Sequence, residues 1–221
     1  MFVPVGKGGE AFEHPAKHSP FDIAAPPPNF AAMSTALRPM PLVTVEEYLA
    51  GEELSPIKHE YLNGVVHAMA GALNRHNWIA VNITSALFAR LKGKRSRPFN
   101  SDTKVRIAQG NDRRFYYPDV QIVCRFNSMD EHFQDHPAVI FEVRSESTAR
   151  IDSGEKRDAY LRLPSLEAYV LVHDEQQAVT VWRRQGEQWE SEYYTEPGDV
   201  IAFPSAECEL PLAEIYEGAA L

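Results

Sequence analysis

The sequence predicts an α/β domain, and three observations carry that class. Across residues 72–91 the apolar side chains Ile79, Ile83, Leu87 and Leu91 recur at four-residue spacing, with Trp78 and Ala86 beside them, which is the stripe of an amphipathic helix. The runs 120–123 and 139–143 are apolar almost without interruption, as neighbouring central strands covered on both faces are. Tyr61-Leu62 and Val65-Val66 flank Asn63-Gly64, the pair that best tolerates the positive φ angles of a tight hairpin turn.

The other elements follow in chain order. Residues 1–40 carry Gly8-Gly9, Pro15, Pro20, Pro26-Pro27-Pro28 and Pro39 with no apolar period, so they read as a disordered tail ahead of a domain spanning 41–221. Met33 and Met40 stand just before the patterned sequence, which raises the expectation of a start codon later than Met1. Thr44 with Glu47 forms the Ser/Thr-x-x-Glu box that opens a short helix. Thr103, Val105 and Ile107 alternate with Asp102, Lys104 and Arg106, a half-buried strand. A helix is expected over 153–163, capped by Asp152 and ended by Pro164. Strands follow at 168–172 and 179–183, the second read as an edge, and then at 189–194.

Composition narrows the function classes. The 221 residues, 44% hydrophobic and 24% charged, fit one ordinary globular domain with an appendage. A net charge of -9 repels phosphate backbones and anionic lipid, so a nucleic-acid reading must rest on local charge. Residues 90–114 supply it, with nine Lys and Arg against Asp102 and Asp112. Two distant cysteines, Cys124 and Cys208, exclude a disulfide framework and a Cys-rich zinc site. No apolar run approaches the ~20 residues of a membrane span, and a reducing cytoplasm is the expected location.

The chemistry points to carboxylates where core strands should have none. Asp119 opens the run 120–123, and Glu142 interrupts 139–143. An ionised carboxylate inside a sheet costs several kcal/mol unless it is paired, hydrogen-bonded or coordinated to a cation. Two on adjacent strands repel each other, and a hard divalent ion such as Mg²⁺ satisfies both. Glu60, just before the hairpin, is a third possible ligand. His132 and His136 have the i, i+4 spacing of a helical zinc pair but lack the HExxH order. Ser145, Ser147 and Thr148 lie outside any Gly-x-Ser-x-Gly elbow.

Tyr117-Pro118-Asp119, Phe141-Glu142-Val143-Arg144-Ser145, Asp152 with Lys156 and Tyr160, and the run Pro164-Ser165-Leu166-Glu167-Ala168-Tyr169 through Val172 together resemble a bacterial family. It is the "putative restriction endonuclease" family of the PD-(D/E)xK nuclease superfamily. The resemblance runs from about Val43 to Gly218 and includes His59-Glu60-Tyr61-Leu62-Asn63-Gly64, similar to the family's Glu-x-x-x-Gly hairpin. It implies an α/β, restriction-endonuclease-like core with a mixed central β-sheet flanked by helices. It also implies a site in which Glu60, Asp119 and Glu142 hold Mg²⁺, or Mn²⁺, near Lys156.

Two departures matter. The superfamily's Glu-x-Lys places lysine two positions after the acid, where this chain has Arg144, whose planar fork does not replace an ammonium. The resemblance therefore implies Lys156, on the following helix, as the catalytic cation, with Arg144 close enough on the same face to have inherited that role. Glu146 stands where the family commonly has proline. The expected function is Mg²⁺-dependent hydrolysis of DNA phosphodiester bonds by a homodimer, with Trp182, Trp189, Tyr193 and Tyr194 as the expected interface. The alternative is a nuclease fold, weakly active or inactive, that binds nucleic acid or protein in a defence or transposon setting.

Overall fold

The computed structural model describes residues 41–144 and 153–221, with the backbone alone at residue 153. The expected disordered tail, Asp152, Ser145, Glu146, Ser147 and Thr148 lie outside the described residues.

Helix α1 (Val45–Leu54) opens on the expected capping box: Thr44 Oγ1 accepts from the Glu47 amide at 3.2 Å, and Glu47 Oε2 accepts from the Thr44 amide at 2.8 Å. Strands β1 (His59–Leu62) and β2 (Val65–Ala68) form the expected hairpin, with φ of 50° at Asn63 and 96° at Gly64. A side chain at Gly64 would also strike Leu42, whose Cβ lies 2.7 Å from the position a Cβ would take. Helix α2 (Asn74–Leu91) buries Ile79, Ile83, Leu87 and Leu91 as its spacing requires. Next come β3 (Arg97–Asn100), β4 (Lys104–Gln109), β5 (Asp112–Tyr116), β6 (Val120–Val123), the two-residue β7 (Phe133–Gln134) and β8 (Pro137–Arg144). Helix α3 (Ser153–Leu161) leads to β9 (Ala168–His173), β10 (Val179–Gln185) and β11 (Gln188–Tyr194). The hairpin β12 (Val200–Phe203) and β13 (Cys208–Pro211) and the short α4 (Leu212–Ile215) close the chain.

Two larger sheets result, ordered β2-β1-β5-β4-β7 and β11-β10-β9-β8-β6-β3. In the second, β6 and β8 are antiparallel neighbours and β8 runs parallel to β9, so the sheet is mixed and its centre lies where the apolar runs placed it. Its two faces are covered differently. The apolar stripe of α2 packs on Val139, Phe141, Val143, Val170 and Val172, joined by β12, β13 and α4. The opposite face, with Ile140, Tyr169 and Leu171, packs under α3 and against Val105, Ile107 and Tyr116 of the smaller sheet. The interior is therefore three layers deep at α3, and the helix is wedged between two sheets.

Three expectations are corrected. Strand β10 is not an edge, because it pairs with β9 on one side and β11 on the other. Lys104 does not face solvent: it is buried, its ammonium donates to the Tyr117 hydroxyl at 3.1 Å, and burial lowers its pKa. The basic segment 90–114 is not one positive surface either, since it is divided among the end of α2 and three strands in two sheets. Six of its nine cations are committed among the described residues: Lys104 to Tyr117, Arg90 to Glu214, Arg106 to Asp135, Arg114 to Asp112 and Glu155, Lys94 to the Glu207 carbonyl and Arg113 to the carbonyls of Gly110 and Asp112. Among the described residues no helix is long and apolar enough to cross a membrane.

Candidate active site

Four elements from both sheets converge at the C-terminal end of β8. Glu142 projects from β8 towards α3, and Lys156 projects from the second turn of α3 to meet it, Nζ to Oε1 3.1 Å. The same ammonium lies 2.9 Å from Glu60 Oε1, carried by β1 in the other sheet. Glu60 Oε1 also accepts from the Tyr117 amide at 3.3 Å, so the segment before Asp119 fixes one glutamate while delivering the aspartate. All three side chains are 14% exposed, which makes this a mostly desolvated ion cluster rather than a surface pair.

Asp119 sits immediately before β6, across from the end of β8. Its Oδ2 accepts from the Val143 amide at 2.7 Å and lies 3.2 Å from His76 Nε2. His76 comes from the first turn of α2, a residue that sequence reasoning missed. Burial works to lower its pKa, but the hydrogen bond and charge of Asp119, together with the charges of Asp174 and Glu142, outweigh this and raise it. Both partners engage Oδ2, and Oδ1 of Asp119 takes part in neither contact.

Two carboxylates share one ammonium beside a third that His76 holds, and burial, with Asp119 and Glu60 adding to it against the pull of Lys156, pushes the Glu142 carboxyl up to about 8. Burial would lower the pKa of Lys156, yet the charges of Glu142 and Glu60 outweigh it and hold the ammonium protonated. Buried Oε1 of Glu142 also lacks a hydrogen bond of good geometry, although the ammonium is near. Three carboxylates crowded around one ammonium and one imidazole form an oxygen donor set that a hard divalent ion suits, since its charge would favour the ionised form of Glu142. The set is not a preformed cage: among the described residues no three His, Cys, Asp or Glu side chains surround one ion position.

The remaining candidates fall elsewhere. Arg144 shares the face of Glu142, but no carboxylate among the described residues is in ion-pair reach of it, and its side chain lines a neighbouring cleft. His132 lies 3.5 Å from Glu53 and His136 contacts Arg125, so the two histidines do not meet on a helix.

Comparisons with known proteins agree with this architecture. The crystal structure titled "a putative nuclease belonging to DUF820" from Anabaena variabilis superposes with a TM-score of 0.62, covering 79% of this chain and 97% of that one at 19% identity. That similarity is one of fold. Two uncharacterized Synechocystis proteins are related in sequence. One, slr1290, is 35% identical over 61% of this chain and 70% of its own length. The other, sll1609, is 29% identical over 67% and 85%. Restriction-endonuclease-like nucleases generally use divalent metal ions. The Uma2 family profile, described as "Putative restriction endonuclease", matches residues 45–213, and with that span the chain belongs to this family.

Proposed function

We propose that the protein is a metal-dependent nuclease that hydrolyses DNA phosphodiester bonds, with Mg²⁺ as its ion and Mn²⁺ as a substitute. One observation carries the reading: the ammonium of Lys156 lies 2.9 and 3.1 Å from two largely desolvated glutamates, with a third carboxylate, Asp119, alongside. Asp119 and Glu142 would hold the ion. Glu60 is the weaker ligand of the three, because its Oε1 already serves Lys156 and the Tyr117 amide. When bound, the metal supplies Lewis-acid polarisation of the phosphate and a water of lowered pKa.

The chain's own groups do the rest. Lys156, fixed by two carboxylates on a packed helix, presents a permanent positive charge where negative charge develops on the transferring phosphate. His76 and the Val143 amide hold one oxygen of Asp119, so the other is presented in a set direction. The dry wall behind Glu142, with Tyr160 and Tyr169 on the same side, strengthens each of these interactions. Cutting both strands of a duplex from one site per chain calls for two chains about a two-fold axis, so the proposal includes a homodimer.

The test is supercoiled plasmid incubated with Mg²⁺, Mn²⁺ or EDTA. Nicking that needs the metal and disappears in Asp119→Ala is the expected result. Metal-independent gel shifts without cleavage would favour instead a nuclease fold that binds and does not cut.

A further inference from the structure

Beside the carboxylates lies a cleft of about 330 Å³ that the ion cluster does not use. Sheet register explains its position. Glu142 pairs with Leu171, Leu171 with Thr180, and Thr180 with Tyr193, so these four form one cross-strand row over β8, β9, β10 and β11. Residues in such a row share a face, and three inter-strand spacings carry it roughly 14 Å from Glu142 to the sheet edge. Arg144 and His173 flank the row on one side, and Tyr169 and Trp182 flank it on the other. The cleft is lined by Leu171, Thr180 and Tyr193 of this row and by its flanks, with Arg157 leaning in from α3, one residue after Lys156, and Glu142 lies just beyond its inner end.

Its chemistry is unlike that of the rest of the molecule. In a chain of net charge -9, the described lining of the cleft holds two arginines and a histidine and no carboxylate. Among the described residues Arg144 has no acidic partner, and Arg157 has only the neighbouring, exposed Asp158 at 2.8 Å. Aromatic rings accompany the cations: the Arg157 guanidinium stands 5.5 Å over the Trp182 ring, and Tyr193 is 74% exposed at the mouth. Guanidinium groups in such a setting grip phosphate, and an open aromatic face stacks on a nucleobase.

We infer that this cleft is a binding subsite for a single-stranded stretch of nucleic acid, seating the nucleotide next to the phosphate that the carboxylates address. Identifying the adjoining site rests on the nuclease reading; the cleft's ligand chemistry does not. A strand running from Glu142 to Tyr193 follows the row across the sheet. It places phosphate against Arg144 and Arg157 and one base against Tyr193. A duplex cannot use the site equally, because its base faces are stacked inside and offer nothing to the tyrosine ring. The volume lies at the low end of the ~300–1,000 Å³ range of small-ligand sites, which limits it to about one nucleotide. This also assigns a place to Arg144: it holds substrate beside the reacting centre, and Lys156 serves the centre itself.

The experiment is fluorescence anisotropy with a fluorescein-labelled twelve-residue thymidine strand and a duplex of the same length, in EDTA so that no cleavage intervenes. The parent protein is expected to prefer the single strand. Tyr193→Ala, at an exposed edge position that leaves the fold intact, should weaken that binding about tenfold. Arg144→Ala should weaken it similarly and flatten the logarithmic salt dependence by about 0.7. Tyr193→Ala should bind the duplex as the parent does, because a paired base offers the ring no face. Parent-like single-strand affinity in both variants, a parent preference for duplex, or no single-strand binding by the parent overturns the inference. Failure of metal-dependent plasmid nicking with these binding losses intact would remove the nuclease reading and leave the subsite standing.

Discussion

Replacing Glu142 by glutamine tests the charge imbalance at the site through stability alone. In the folded protein this carboxyl ionises at about 8 against an ordinary value of 4.5, with burial as the first cause. The sign follows from proton linkage: a raised folded pKa means the folded state binds the proton more tightly. Stability is then fully present below about pH 4.5 and is lost as pH rises through about 8. At 1.36 kcal/mol per unit, the full shift is worth roughly 5 kcal/mol above pH 8. The glutamine amide of Glu142→Gln carries no charge to bury. Lys156 keeps Glu60 at 2.9 Å but gives up its other carboxylate, which takes back part of the gain and leaves roughly 1–3 kcal/mol. For a chain of this size that is an increase in Tm of roughly 3–10 °C. The assay is thermal unfolding by circular dichroism in EDTA at pH 5 and pH 8.5. The variant should match the parent at pH 5 and exceed it at pH 8.5. A variant less stable than the parent at pH 8.5 would show that Glu142 is a stabilising partner of Lys156 and that the site has no surplus charge.

Other outcomes follow from the same geometry. Lys156→Ala should lower the single-turnover cleavage rate by roughly 10²–10³-fold with little change in metal affinity, as expected of a charge used in the transition state. Arg144→Ala should instead raise KM and keep most of kcat, and rate losses in the reverse order would move the catalytic assignment to Arg144. His76→Ala frees Asp119 Oδ2, so metal affinity should fall about 10–100-fold, and His76→Gln should recover part of it; equal affinity in all three proteins would reduce His76 to packing. Light scattering at micromolar concentration should give a dimer mass, and a monomer would remove the homodimer without touching the site. The surface expected for that dimer is smaller than the sequence implied, since Trp182, Trp189 and Tyr194 pack against the core clusters and Tyr193 alone is widely open.

What the sequence revealed follows from where polar residues fall. Asp119 and Glu142 stood out because each broke an apolar run, and the hairpin stood out because Asn63-Gly64 allows few other conformations. Lys156 was legible only through resemblance, because nothing in the local pattern of α3 distinguishes it from Arg157. His76 gave no signal: a lone histidine at the start of an amphipathic helix looks the same whether or not its partner is an aspartate from a distant strand. Strands β3 and β5 were hidden by Pro98, tolerated because β3 is a sheet edge, and by Asp112-Arg113-Arg114. Strand β10 resembled an edge because of Arg183 and Arg184, but its neighbours satisfy both. Arg183 pairs with Glu192 at 2.7 Å, and Arg184 donates to the carbonyls of Leu161, the last residue of α3, and of Leu163 and Leu166 beyond it. A polar residue inside a sheet therefore meets the ammonium of Lys156 at Glu142 and backbone carbonyls at Arg184, and only partners distant in sequence separate the two.

The claim that the carboxylate cluster is built to hold a divalent cation is tested most directly by calorimetric titration of Mg²⁺ into metal-free protein. One binding event is predicted in the parent, weakened at least about tenfold by Asp119→Asn and by Glu142→Gln, with each variant folded by circular dichroism. Parent-like Mg²⁺ affinity in both variants would contradict the account and put the metal elsewhere.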